Sequence, residues 1–239
     1  MKYTRNDILA FFSSQLLCDE ERTYIEYHSE RLAYTINLIQ WYTDRFGAQK
    51  ILDIGPHFLT CCIQKMISPQ PIISTLGYKN GRLVSDDIID KHFEIDLDEC
   101  ANVNLDEIDA RYDLIIFSET IEHLHTSPTI VLSFLKGLLN DKSTSGILLQ
   151  TPNATSIEKR IKMLFGKNPY ELIREDKKNP GHFREYTMKE LEAYSQTIGC
   201  KILYKQFCSY WRFNLFVEKI INVIPSFRRG LTIILVRDR

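Results

Sequence analysis

The segment Tyr112–Leu124 changes chemistry halfway along. Leu114 to Phe117 form a short, wholly apolar run bounded by Asp113 and Ser118, which is how a strand buried on both faces of a parallel sheet looks. Ser118, Glu119, Glu122 and His123 follow at once. Ionisable groups therefore sit where a buried strand's carboxyl end opens into a crevice, and in open α/β sheets ligands bind there.

The rest of the chain supplies the elements such a strand needs. Between Glu20 and Phe46 apolar residues recur at three- and four-residue steps, predicting a long amphipathic helix that Gly47 stops. Lys50–Gly55 reads as a strand ending in glycine, Phe58–Ile67 as a helix, Ile72–Gly77 and His92–Ile95 as the second and third strands, and Tyr112–Ser118 as the fourth. Ser127-Pro128 predicts an N-cap and first helical position for a helix through Leu139, and Gly146–Gln150 predicts the fifth strand. After a polar stretch with a helical piece at Ile157–Phe165, Thr187-Met-Lys-Glu190 predicts a capping box. Cys200–Phe207 and Leu231–Val236 read as the last two strands.

Strands alternating with helices predict an α/β fold: a Rossmann-like, doubly wound, seven-stranded, mostly parallel sheet with helices on both faces. Residues 1–239 are expected to form one domain. Within it, 1–47 form an N-terminal helical extension and 48–151 a cofactor-binding half. A lid or acceptor insert follows the fifth strand at 152–186, and 187–239 hold the C-terminal helices and strands.

Composition narrows the function classes. The formal net charge is −1 and no basic tract is present, which disfavours extended phosphate contacts with nucleic acid. The six cysteines lack a C-x-x-C pair or metal-like spacing and read as reduced residues of a cytoplasmic protein. The apolar patch Ile8–Phe12 is too short for a signal peptide, and no run reaches membrane-spanning length. The apolar stretch 213–224 could lie in a membrane surface, though a packed crossover helix is the favoured reading.

Leu52-Asp53-Ile54-Gly55 provides one glycine for close ligand approach, but not the G-x-G-x-x-G that a dinucleotide pyrophosphate requires. Taken with Asp96-Leu97, the fourth-strand segment Tyr112–Leu124, Gly146–Asn153, and His182-Phe-Arg-Glu-Tyr-Thr187 with Glu190-Leu191, it resembles the class I S-adenosylmethionine-dependent methyltransferases. The resemblance runs from about His28 to Phe207. It is closest to members found among glycan-biosynthesis functions and looser to the ubiquinone O-methyltransferases. The sequence departs from the family pattern at His57 and Leu59, where glycines are usual. It also lacks an acid directly after the second strand, for which Asp86 or Asp87 could compensate.

The resemblance implies S-adenosylmethionine as cofactor. Asp53, Gly55 and His57 would line its methionine end, His28 and Arg31 would cover its carboxylate, and Asp96 and Leu97 would meet its adenine. Phe117, Ser118 and Glu119 would close the other side. The expected reaction is O-methylation of a sugar or other small biosynthetic acceptor, with His123, His182 and Glu122 as the catalytic group. A hydroxyl benefits from a base, and imidazole titrates near neutrality. A divalent metal on Glu119, Glu122, His123 and His182 is weighed and not favoured; it requires Glu119–His123 to form one helical turn. In the insert, Asn153, Arg160, Lys162, Lys167, Asn168, Tyr170 and Arg184 are candidate acceptor contacts, with Phe165 and Tyr170 as stacking partners. The competing readings are metal-dependent RNA 2′-O-methylation and a degenerate methyltransferase fold serving as a binding subunit.

Overall fold

The computed structural model describes residues 2–78, 87, 89–108, 111–175, 181–210, 221 and 223–238. Asp86, Lys177-Lys178 and most of the 213–224 stretch lie outside them. The chain divides into two compact units, Met1–Glu94 and Ile95–Arg239.

In the first unit, α1 (Arg5–Ser13) is closed by a Thr4/Asp7 capping box and buries Ile8 and Phe12. The apolar patch that is too short for a signal peptide is thus one face of a small helix. Helix α2 (Asp19–Phe46) packs Ile25, Leu32, Ile36 and Ile39 inward. Acidic residues in its first turn and Arg45 in its last complement the helix dipole. Gly47 ends it in the left-handed conformation, its N–H donating to the Thr43 carbonyl at 2.8 Å. Strands β1 (Lys50–Ile54), β2 (Ile72–Leu76) and β3 (Lys91–Phe93) run parallel in the order β3-β2-β1, and α3 (Phe58–Met66) is the β1–β2 crossover. β3 starts and ends earlier than the sequence predicts.

Two glycines close the ends of β1 and β2. Gly55 has φ +72°, and its N–H donates to the Leu76 carbonyl at 2.9 Å; Gly77 has φ +122°, and its N–H reaches the Phe93 carbonyl at 3.0 Å. A Cβ on Gly77 would lie 3.5 Å from the Gly55 nitrogen, so the two turns meet backbone against backbone.

In the second unit, β4 (Leu114–Ser118) lies parallel to β5 (Gly146–Pro152), with α4 (Pro128–Gly137) between them in sequence. Ser127 stands at the N-cap and Pro128 opens the helix, as the sequence predicts, but the Ser127 hydroxyl pairs with Thr129 and makes no capping bond to the backbone. α5 (Ile157–Leu164) lies in the insert, and α6 (Met188–Thr197) opens with the Thr187/Glu190 capping box. β7 (Gly230–Arg237) pairs antiparallel with β5 on one side and β6 (Cys200–Cys208) on the other. Leu114, Ile115, Ile116 and Phe117 are all 0% exposed, as a strand covered on both faces requires. Among the described residues no helix is long and apolar enough to cross a membrane.

Candidate functional site

At the end of β4 the chain bends on Glu119, the one non-glycine residue of the described set with positive φ, +53°. Its N–H donates to the Gln150 carbonyl at 2.8 Å, so the ladder with β5 continues for one bond before the chain turns away. A left-handed residue cannot begin a helical turn. Only Ile121–His123 form a short 3₁₀ turn, and Glu119 is left out of it. The four-residue metal set is corrected accordingly: Glu122, His123 and His182 come together and Glu119 does not.

Glu122 is fully buried and accepts a hydrogen bond from the Thr151 hydroxyl at 2.9 Å. Its backbone carbonyl accepts from the N–H groups of Phe183 at 2.8 Å and Arg184 at 3.3 Å, tying the distant His182 segment to this turn. His123 Nδ1 lies 2.8 Å from the Gly181 carbonyl. A carbonyl only accepts, so Nδ1 carries the proton and neutral His123 has its lone pair at Nε2. The His123 and His182 rings stand 4.9 Å apart at 76°. His182 Nδ1 meets the Glu185 carboxylate at 3.1 Å, and Glu185 is ion-paired with Lys159. Lys159 Nζ also donates to the Asn153 carbonyl at 3.2 Å.

Burial decides the charge states. It lowers His182 to about 4, helped by the neighbouring His123, so His182 is neutral at pH 7. Burial also lowers Lys159 to about 8, with Lys162 adding repulsion. One carboxylate and two imidazoles, with ligand atoms within 4.8 Å of one another and both Nδ1 positions engaged, could accept a proton from an acceptor or hold a divalent cation.

The expected cofactor residues fall in both units. In the first, Asp53 is buried and accepts from the Thr60 hydroxyl at 2.6 Å. Arg31 is buried too, donating through Nη2 to the Tyr24 hydroxyl at 3.1 Å and through Nε to His28 Nδ1 at 3.4 Å. The His57 ring packs against Tyr24 and Phe58, with centroids 4.9 and 4.4 Å away. Arg31 is thus a buried cation held by a tyrosine hydroxyl and an imidazole, the donor type that carboxylates pair with. In the second unit, Asp96 caps the 3₁₀ turn Leu97–Asn102 by accepting from the Asp98 N–H at 2.9 Å, and Leu97 is buried. Ser118 donates to the Gln150 side chain at 2.9 Å. The Phe117 side chain lies wholly in the core, so its side chain is no open wall for a ligand.

Lys159, Glu185, Thr151 and Gly181 join the site only in the folded chain. Glu185 could have been found, three residues after His182 in the His182–Thr187 segment; Lys159 had no signal beyond the insert's general basicity. Among the candidate acceptor contacts, Asn153 has a structural role. Its amide donates to the Ser226 and Arg228 carbonyls, and its oxygen accepts from the N–H and hydroxyl of Thr155. Arg184 is paired with Glu190.

Acid stability follows from these groups. His28 is lowered to about 3 and His57 to about 4, each mainly by burial and then by Arg31, and His182 to about 4. Burial raises Asp53 to about 7. At pH 5 unfolding lets the three histidines take up protons and makes Asp53 release one, a net uptake of about two for these four groups. More protons on the unfolded chain mean stability that rises with pH, so the melting temperature should climb from about pH 4 to the ordinary histidine value of 6.5. Calorimetry across that window measures it, and a flat or falling curve would contradict the buried neutral histidines.

A family model described as methyltransferase domain matches residues 62–205. No curated protein matches the sequence. Among solved structures, the chain is similar to magnesium protoporphyrin IX methyltransferase from Synechocystis with bound S-adenosylhomocysteine: 13% identity, 96% of this chain and 91% of that one covered, TM-score 0.56. It is similar to the plantazolicin methyltransferase BamL in complex with a triazolic desmethylPZN analog and S-adenosylhomocysteine, at 13% identity, 98% and 96% coverage, and TM-score 0.56. A methyltransferase from Archaeoglobus fulgidus gives 18% identity, 90% and 99% coverage, and TM-score 0.50. These likenesses carry the fold, and the expected Rossmann-like α/β class is the one found.

Proposed function

Since the chain belongs to the methyltransferase-domain family, that of the class I S-adenosylmethionine-dependent methyltransferases, we propose that it methylates a hydroxyl oxygen of a sugar or related small biosynthetic molecule. The observation that carries the oxygen acceptor is the tautomer of His123: with Nδ1–H held by the Gly181 carbonyl, Nε2 is left as a base. Amines that are neutral at working pH need no such group; an alcohol, whose pKa is far higher, does.

Bound in the cofactor site, S-adenosylmethionine supplies a methyl group made electrophilic by its sulfonium. His28, Arg31, Asp53, Gly55, His57, Asp96, Leu97, Ser118 and Glu119 are the residues proposed to hold it. The chain's own residues would then have to hold the acceptor oxygen in line with that methyl group. The hydroxyl proton passes to Nε2 of His123, where the buried Glu122 carboxylate offsets the imidazolium charge. His182, held neutral by burial, adds no second positive charge and can accept a hydrogen bond at Nε2, its Nδ1–H being committed to Glu185. Asn168 and Tyr170 in the insert are the proposed sugar contacts.

Two measurements test this. S-adenosylhomocysteine at about 100 times its dissociation constant should stabilise the protein by about 2.7 kcal/mol; no shift at millimolar ligand would favour a binding subunit without activity. A panel of free and nucleotide-linked sugars should then yield a product one methyl heavier, at a rate that chelator does not alter. Loss of activity with chelator and its return with manganese would instead assign Glu122, His123 and His182 to a metal.

A further inference from the structure

Helix α5 turns a charged residue inward, Lys159, whose largely buried side chain pairs with Glu185. Glu158 pairs with Arg229. None of its residues is fully buried. Large apolar residues are exposed instead, Leu164 at 80% and Phe165 at the C-terminus at 72%; Ile161 and Met163 beside them are exposed as well. Ile161, Leu164 and Phe165 fall at i, i+3 and i+4, so they share one face of the helix. A water-soluble surface rarely leaves large apolar side chains contiguous and uncovered without a partner.

Charge chooses the partner. From Lys159 to Lys167 the sequence holds four basic residues and no acid, and Arg160, Lys162 and Lys167 are exposed around the apolar face. Leu and Phe on one side with Lys and Arg flanking them is the composition of a helix lying in the interface of an anionic bilayer. A protein groove that took the same apolar side chains would not require the ring of like charge. We propose that α5 and the Phe165 turn dock the protein onto a negatively charged lipid surface. The docking stands apart from the methyl-transfer reading, since neither cofactor nor acceptor takes part in it.

The test is sedimentation of the full chain with vesicles of phosphatidylcholine, with and without phosphatidylglycerol. Binding is expected only with phosphatidylglycerol, weakening as salt rises. Leu164→Glu and Phe165→Glu should each lower the partition coefficient at least tenfold. Lys162→Glu should lower it by about fivefold or more, the worth of one basic residue near an anionic surface. Circular dichroism reports that each variant folds. The control is Leu16→Glu, at a residue that is fully exposed in the other unit, and it should bind as the wild type does. Equal binding to neutral vesicles, or none to anionic ones, overturns the proposal. It is also overturned if Phe216→Glu, in the stretch outside the described residues, abolishes binding while Leu164→Glu does not. A lipid-free dimer that Leu164→Glu converts to monomer assigns the face to a second copy of the chain and overturns it as well.

Discussion

With His123 replaced by alanine, methyl transfer is expected to slow by about 10²–10⁴-fold, the usual contribution of a positioned general base, while S-adenosylhomocysteine still shifts the melting temperature. The two readouts separate the roles. His123 is tied through Nδ1 to the Gly181 carbonyl, and its removal leaves the buried Glu122 with its Thr151 partner and its backbone hold on Phe183. The fold and the cofactor residues should therefore survive. His182→Ala should cost less in rate and more in KM, because its neutral ring is proposed to orient the acceptor. If His123→Ala transfers methyl groups at the wild-type rate, the imidazole is a latch and the base lies elsewhere.

Phe117→Ala should destabilise the protein by about 3–5 kcal/mol, the range for truncating a fully buried aromatic side chain. At about 2–4 °C per kcal/mol for a chain of this size, the melting temperature falls by roughly 6–20 °C. Phe117→Leu, which keeps most of the volume, should lose far less, and both variants should respond to S-adenosylhomocysteine. The opposite pattern, wild-type stability with the ligand response gone, would restore Phe117 as the cofactor wall that the resemblance implied. The distinction matters because the residue belongs to the motif yet is 0% exposed.

These two residues also show where reading the sequence succeeds and where it stops. The apolar run Leu114–Phe117 announces a doubly covered strand, because burial on both faces leaves no alternation to confuse the signal. The long helix ending at Gly47 and the Thr187/Glu190 capping box are legible for the same reason: each is determined by neighbours within a turn or two. The site is not local in that sense. The left-handed Glu119 depends on where β5 places the Gln150 carbonyl, and nothing in Ser118-Glu-Thr-Ile-Glu122 discloses it. The Lys159–Glu185 pair joins residues on either side of the insert, and only the folded chain sets them together. The apolar period of α5 is legible too, but its usual meaning fails here, since Ile161 and Leu164 are exposed and no residue of the helix is fully buried.

The insert is fastened where it leaves β5 and where it returns. The Ala154 N–H donates to the Tyr186 carbonyl at its base, and the Glu122 carbonyl grips Phe183 and Arg184. What lies between behaves as a removable cassette. Related chains could exchange this cassette for another of different length or chemistry and inherit a new acceptor or a new surface, while His123 stays on the turn after β4, outside the cassette.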